Sequence, residues 1–356
     1  MKKLFLLLIL PLIISSCSDD DKNDAGNGLP NLESGNYLYV LNQGGWKANN
    51  ASLSLVNLDK NTVTSQFFEA LNNFNLGDVA EKIIKYENKA FISVSGSDIV
   101  KIINLQNGES LGSITLSKST FPKRLKIVDN TLFVCGLDSN KIYTYDLDNY
   151  NLLGEYETGP NPEDFEIYNN KIYVLNSAKG VVGVENGATL YIIDLNSSET
   201  VKVSTKFNPS NIEIDETNNK YYISNIGKWD DTENKMVGQG ISEYNLIDNS
   251  FVNSWEIENS GRIEFNNNTL YVLSDLGVWG NSTLYEFKGG TATKLIEKPE
   301  KFTAFNNFEI HGDKIIMFDV QDYQSDGNIY IYDDYYQLEN SYSAGIIPNS
   351  ALFYTF

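Results

Sequence analysis

A closed ring of seven four-stranded β-sheets, a β-propeller, is the fold that this sequence predicts. Three observations carry the prediction. One strand signature recurs seven times at intervals of 40–52 residues. The composition, with 22 Tyr, 18 Phe and 26 Gly in 356 residues, is that of a turn-rich β protein with a sizeable core. The first repeat lacks one strand, and the end of the chain carries a surplus one.

The signature is an Asn or Asp, two residues, then an aromatic or β-branched residue inside an apolar run. It reads Asn36 to Tyr39, Asn88 to Phe91, Asn130 to Phe133, Asn170 to Tyr173, Asn219 to Tyr222, Asn268 to Tyr271 and Asp313 to Ile316. Each interval suits four short strands, a to d, with their turns. The third repeat shows the pattern most plainly. Strand a is Arg124–Val128, where Leu125 and Ile127 alternate with polar neighbours. Asp129 and Asn130 make a tight hairpin, because both residue types tolerate positive φ. Strand b, Thr131–Gly136, is a continuous apolar run, as expected of a strand covered on both faces. Strands c and d follow at Lys141–Leu147 and Leu152–Thr158. Other c strands are expected at Leu53–Leu58, Ile99–Leu105, Leu190–Leu195, Ser242–Leu246, Leu284–Phe287 and Ile329–Tyr332. The first repeat begins at strand b. The segment Pro348–Tyr354 matches the strand-a start at Pro209–Ile214, so the C-terminal strand should complete the first blade and remove an open edge. The ring then spans residues 36–356.

Charge and rare residues exclude several functions. The net charge of −20 repels phosphate backbones, so no nucleic-acid partner is expected. One His (His311) and two Cys (Cys17 and Cys135) leave no His/Cys zinc site, no disulfide framework and no chemistry needing two histidines. No catalytic residue is assigned, since neither a nucleophile–His pair nor a sialidase Asp-box is present. His311 reads as an exposed turn residue, and Cys135 as packing in a buried strand. Asp319, Asp322 and Asp326 share one loop and Asp230 and Asp231 another. Neither group has EF-hand spacing, so both read as solvated charge and no metal site is expected.

Up-and-down topology puts the a–b and c–d turns on one face and the b–c and d–a loops on the other. Nearly all extra length lies in the second set: 43–50, 177–188, 226–240, 276–282 and 320–327, with the d–a connection 69–81. Insertions confined to one face of a repeat protein mark its binding face. Three of the four tryptophans, Trp46, Trp229 and Trp279, fall there, with Tyr323 in a comparable place. The fourth, Trp255, falls in a d strand and reads as core. An indole can bury roughly 150–250 Å², an upper limit of about 4–6 kcal/mol each. Asn42, Gln43, Lys47, Asn49, Asn176, Asn225, Lys228, Asn281 and Gln321 lie around them and could satisfy amide or hydroxyl groups at a ligand's rim.

Lys2 and Lys3 before the apolar run Leu4–Ile14 have the layout of a secretory signal, covering residues 1–16. Ile14-Ser15-Ser16-Cys17 resembles a bacterial lipobox. That resemblance implies cleavage before Cys17, its lipidation, and anchoring in a membrane by several acyl chains. Ser18-Asp19-Asp20-Asp21 is similar to the acidic tag of lipoproteins exported to the outer face of the outer membrane. Residues 17–35 then form a lipidated, flexible acidic tether.

The segment from Tyr39 to Leu55, with Leu41-Asn42-Gln43-Gly44-Gly45-Trp46 and Asn49-Asn50-Ala51-Ser52-Leu53, resembles the first-blade motif of surface lipoprotein propellers. These are the YncE-like group, which includes BtuG-like cobalamin-binding lipoproteins. Gln43 stands where Glu is commoner. The resemblance implies capture of a nutrient, a corrinoid such as cobalamin, and its transfer to a TonB-dependent outer-membrane transporter. It implies a bound corrinoid as ligand and no required cofactor. Another nutrient (a siderophore or glycan), or a protein-interaction subunit of an uptake complex, is the alternative.

Overall fold

The computed structural model describes residues 32–274, 283–297 and 305–356. They form a seven-bladed β-propeller of four-stranded antiparallel sheets. The a strands are Ala80–Tyr86, Pro122–Val128, Pro162–Tyr168, Pro209–Asp215, Ser260–Asn266, Phe305–His311 and Pro348–Thr355. Each contacts its neighbours in that order, and Pro348–Thr355 lies between Phe305–His311 and Ala80–Tyr86, so the ring is closed. The C-terminal strand pairs with Asn36–Asn42 from Asn36 opposite Thr355 to Asn42 opposite Pro348. Closure by the C-terminal strand is thus as the sequence predicts.

Apolar patterning dictates the layering. Strand b of each blade is buried on both sides: Leu38 and Val40 pack with Ile316, Phe318 and Ile329 of blade 7. Tyr39 and Leu41 face the other way, toward Ile83 and Ile92 of blade 2. A continuous apolar strand is what such double coverage requires. Strand d of the third blade, Leu152–Glu157, is mostly exposed and closes the blade's outer edge. The a–b turns Asn169–Asn170 and Asn267–Asn268 hold both residues at positive φ, the two-residue geometry whose twist suits a hairpin. Cys135 is buried, and its Sγ donates to the Pro162 carbonyl.

Four features differ from the sequence reading. The connection after the first blade contains a short helix, Phe67–Asn72, because Phe67 and Phe68 are drawn into the core between blades 1 and 2. The loop of blade 5 carries a hairpin of its own, Lys228–Asp230 paired with Lys235–Val237. Residues 32–35 are fastened rather than free: Leu32 N–H donates to the Gln106 carbonyl, and Gly35 exchanges two backbone bonds with Phe356. His311 is not an isolated turn residue. It ends strand a of blade 7, its ring meets Phe353 edge-on, and its Nε2 lies 3.2 Å from Glu309 Oε2.

Candidate ligand-binding face

The face is built on a charged hub. Aligned a strands bring Lys82, Arg124, Asp164, Asn211, Arg262, Asn307 and Ser350 to one level, and Lys126, Glu166, Glu213, Glu264 and Glu309 to the next. Acidic side chains stitch successive blades by accepting backbone N–H bonds from the next inner strand. Asp164 takes Ile212 N–H at 3.4 Å, Glu213 takes Phe265 at 3.3 Å, Glu264 takes Ile310 at 3.0 Å and Glu309 takes Ala351 at 2.9 Å. Such bonds satisfy inner-strand donors that no further strand can pair. Lys82 pairs with Glu309, Lys123 with Glu163 and Lys126 with Glu166; Arg124 Nε lies 3.6 Å from Asp164.

Electrostatics divides these carboxyls. Burial pushes Glu309 up, but Lys82 and then His311 outweigh it and hold the carboxyl far below its ordinary value. Burial raises Glu213 well above the usual range, and the Glu166 charge raises it further against the pull of Lys126. Glu264 is raised chiefly by burial. Arg262 stays charged because Asp164, Glu264 and Glu213 outweigh its own burial.

Around the strand-a starts stand the long loops. The structure sorts the residues expected there by burial. Asn42, Asn176 and Asn225 are corrected: they are fully buried beneath the face and serve the fold. Asn42 Nδ2 donates to Ser52 and Ser54 while its Oδ1 accepts from Gly345 N–H; Asn225 Nδ2 donates to Ser242 Oγ at 3.0 Å, and Asn176 Nδ2 to Thr189 Oγ1 at 3.2 Å. An Asn ending strand b at the ring interior meets strand c before it meets solvent. Gln43 is half-buried and donates to Glu81 Oε1. Others are exposed: Trp46 (61%), Lys47, Asn49, Lys228, Trp229 (54%) and Tyr323 (37%). Trp279 and Asn281, like Cys17, lie outside the described residues. Trp255 is half-buried against Phe287, in accord with a core role.

Trp46 and Trp229 share the face but not a neighbourhood, since they belong to blades 1 and 5 of the ring. Trp46 already has company: Phe121 at 5.6 Å between ring centroids and Lys47 Nζ at 5.7 Å. Its loop is held by Asp78, which accepts N–H bonds from Lys47 and Asn49. Trp229 stands opposite Met236 on the blade 5 hairpin. Between this hairpin and the connection 256–259 lies a cleft of about 830 Å³, lined by Trp229, Met236, Ile257, Glu233, Glu256 and Glu258 among others. Gly240 at the hairpin base has φ of 124°, and a Cβ there would meet the Trp255 carbonyl oxygen at 1.9 Å, so only glycine lets the hairpin rise at this point. Met236, Ile257, Glu256 and Glu258 escaped the sequence reading. Their only signal is the length of the blade 5 insertion, which does not tell which connection lies across from it.

Asp319, expected as solvated charge, is fully buried, its Oδ1 accepting from Gln321 N–H; Asp322 and Asp230 serve turns. Asp322 accepts from Gln324 N–H and Ser325 N–H, and Asp230 from Thr232 and Glu233 N–H.

No family model and no curated protein matches the chain. Solved structures do. A putative 6-phosphogluconolactonase from Bacteroides uniformis is 10% identical with a TM-score of 0.60, over 90% of this chain and all of that one. A quinonprotein alcohol dehydrogenase-like protein from Bacteroides thetaiotaomicron is 14% identical with a TM-score of 0.62, over 90% of this chain and 78% of that one. A protein from Lactobacillus plantarum, 8% identical, gives a TM-score of 0.62 over 90% of this chain and all of that one. At these identities the likeness is one of fold alone, and fold does not fix function.

Proposed function

We propose that the protein is a non-catalytic surface lipoprotein that captures a nutrient on its long-loop face, a corrinoid such as cobalamin in first place, and passes it to a TonB-dependent outer-membrane transporter. The observation that carries this reading is the exposed Trp229 indole above a cleft of about 830 Å³, on the one face where the ring bears its insertions. A cleft of that size is in the range of small-molecule sites, and a half-exposed indole supplies apolar contact at small entropic cost. A scavenger needs preorganisation rather than chemistry, and the stitched hub gives the loops a rigid base.

Two further observations support the arrangement. Leu32 and Gly35 are tied to Gln106 and Phe356, on the turn face of the ring. A lipid on Cys17 would therefore tether the ring from its turn face and leave the loop face free for nutrient and transporter alike. Val181, Val182 and Val184 are exposed in the blade 4 loop. They offer apolar surface to a protein partner on the same side, as transfer to a transporter requires.

The test is direct. The purified protein is mixed in turn with cobalamin, cobinamide, a ferric siderophore and an oligosaccharide, and passed through a sizing column. Corrinoid colour should travel with the protein at one equivalent. Elution of the corrinoids alone, with another compound retained, would replace the ligand and keep the site; retention of none would overturn the reading.

A further inference from the structure

The blade 5 cleft combines a free aromatic face with an excess of negative charge. Trp229 and Met236 are direct cross-strand neighbours on a two-stranded ribbon that joins no blade sheet. Such a ribbon is marginal alone in water and gains from anything seated against its apolar face. Across the cleft stand Ile257, half-buried, and the exposed Glu256 and Glu258. Lys235 is the lining cation, and its Nζ is bound to Glu233 at 2.7 Å, with Glu256 also acting on it. Among the described residues, Glu256 and Glu258 form no ion pair, and the Trp229 ring stacks on no other ring and carries no lysine. Trp46 differs in each respect, since Lys47 and Phe121 already occupy its surroundings.

We infer that this cleft selects organic cations: ligands that present a flat or apolar surface to Trp229 and Met236 and a positive charge to Glu256 and Glu258. An indole face attracts a cation through its quadrupole, and two carboxylates at the rim of the same cleft add to the attraction. An anion of equal size would meet the same carboxylates and be rejected, which is specificity by repulsion. The inference rests on the loop face being a binding face. It deepens that reading by assigning the sign of charge that the site accepts.

The experiment uses the full chain in a non-ionic detergent and two planar probes of one ring size, proflavine as cation and acridine-9-carboxylate as anion. Fluorescence anisotropy reads binding, with detergent alone as blank. Proflavine should bind at one equivalent and at least tenfold more tightly than the carboxylate. The double variant Glu256→Gln/Glu258→Gln should lose most of that preference, and Trp229→Ala should weaken proflavine at least tenfold, while Leu152→Ala, on the exposed outer edge of blade 3, leaves it within twofold. Proflavine binding at many equivalents, or unchanged by these variants, would be general attraction to a chain of charge −20 and would overturn the inference. Equal binding of the anion would also overturn it. Corrinoid retention is read separately on the same preparations: corrinoid binding without cation preference removes only this inference, and cation preference without corrinoid binding removes only the corrinoid.

Discussion

The hub and the loop face meet at the starts of the a strands, yet they treat polar and aromatic groups in opposite ways. In the hub, most charged groups are spent on one another and on the backbone of the next blade: Glu309 alone accepts from Lys82, Ser350, His311 and Ala351 N–H, while Arg262 Nε and Nη1 are buried without a hydrogen-bond partner. On the loop face, large side chains that could have been buried are left in water, Trp46 and Trp229 most of all. Burial of a charge is tolerable only when it is fully paired, and exposure of an indole costs water contact with no return within the fold. The comparison separates what holds the ring together from what the ring presents.

Removing a hub carboxylate should have the largest effect. Glu309→Ala strips Lys82 of its partner and unties blade 7 from the closing strand, so it should cost about 3–5 kcal/mol, the range for breaking a buried pair. Chemical denaturation would measure it, and a loss under about 1 kcal/mol would mean that the stitching is ornamental. The loop face should behave oppositely. Trp229→Ala should leave stability within about 0.5 kcal/mol while lowering ligand affinity by about 2–3 kcal/mol, roughly 30- to 150-fold. Equal losses of stability and affinity in that variant would erase the distinction between the two regions.

Acid and alkali sharpen it further. Glu309 is held low, so its contribution is present above the unfolded carboxyl value of about 4.3 and is lost only as pH falls far below that. Glu213 is raised, so the folded ring keeps a proton that the unfolded chain gives up above about pH 4.3. Its contribution is full below that pH and declines as pH rises. Glu213→Gln should therefore melt higher than the parent at pH 8, with the difference vanishing below about pH 4. A difference that grows toward acid would reverse the assignment. Trp46→Ala should have the smallest effect: about 1 kcal/mol of stability or less, from lost contact with Phe121, and a two- to threefold change in affinity.

The ring was legible in the sequence because each blade repeats one physical solution. A doubly covered strand b must be apolar throughout, and Thr131–Gly136 falls where that pattern puts it. The surplus Pro348–Thr355 had one open edge to fill, beside Asn36–Asn42. The site was legible only as a face. Strand-end residues such as Asn42 and Asn225 look like loop polars in one dimension, but the ring interior turns them toward strand c. The hub charges were visible as polar positions alternating with Leu125 and Ile127. Their pairing across blades, Lys126 with Glu166 for one, depends on register between distant segments. For the same reason the cleft wall at 256–259 could not be assigned to the hairpin at 228–237.

The most direct test of the account is calorimetric titration of cobalamin into the parent protein and into Trp229→Ala. The account predicts a single-site isotherm for the parent and at least a thirtyfold weaker one for the variant, with the two proteins melting together. No heat of binding in the parent, or indistinguishable isotherms for the pair, would contradict it.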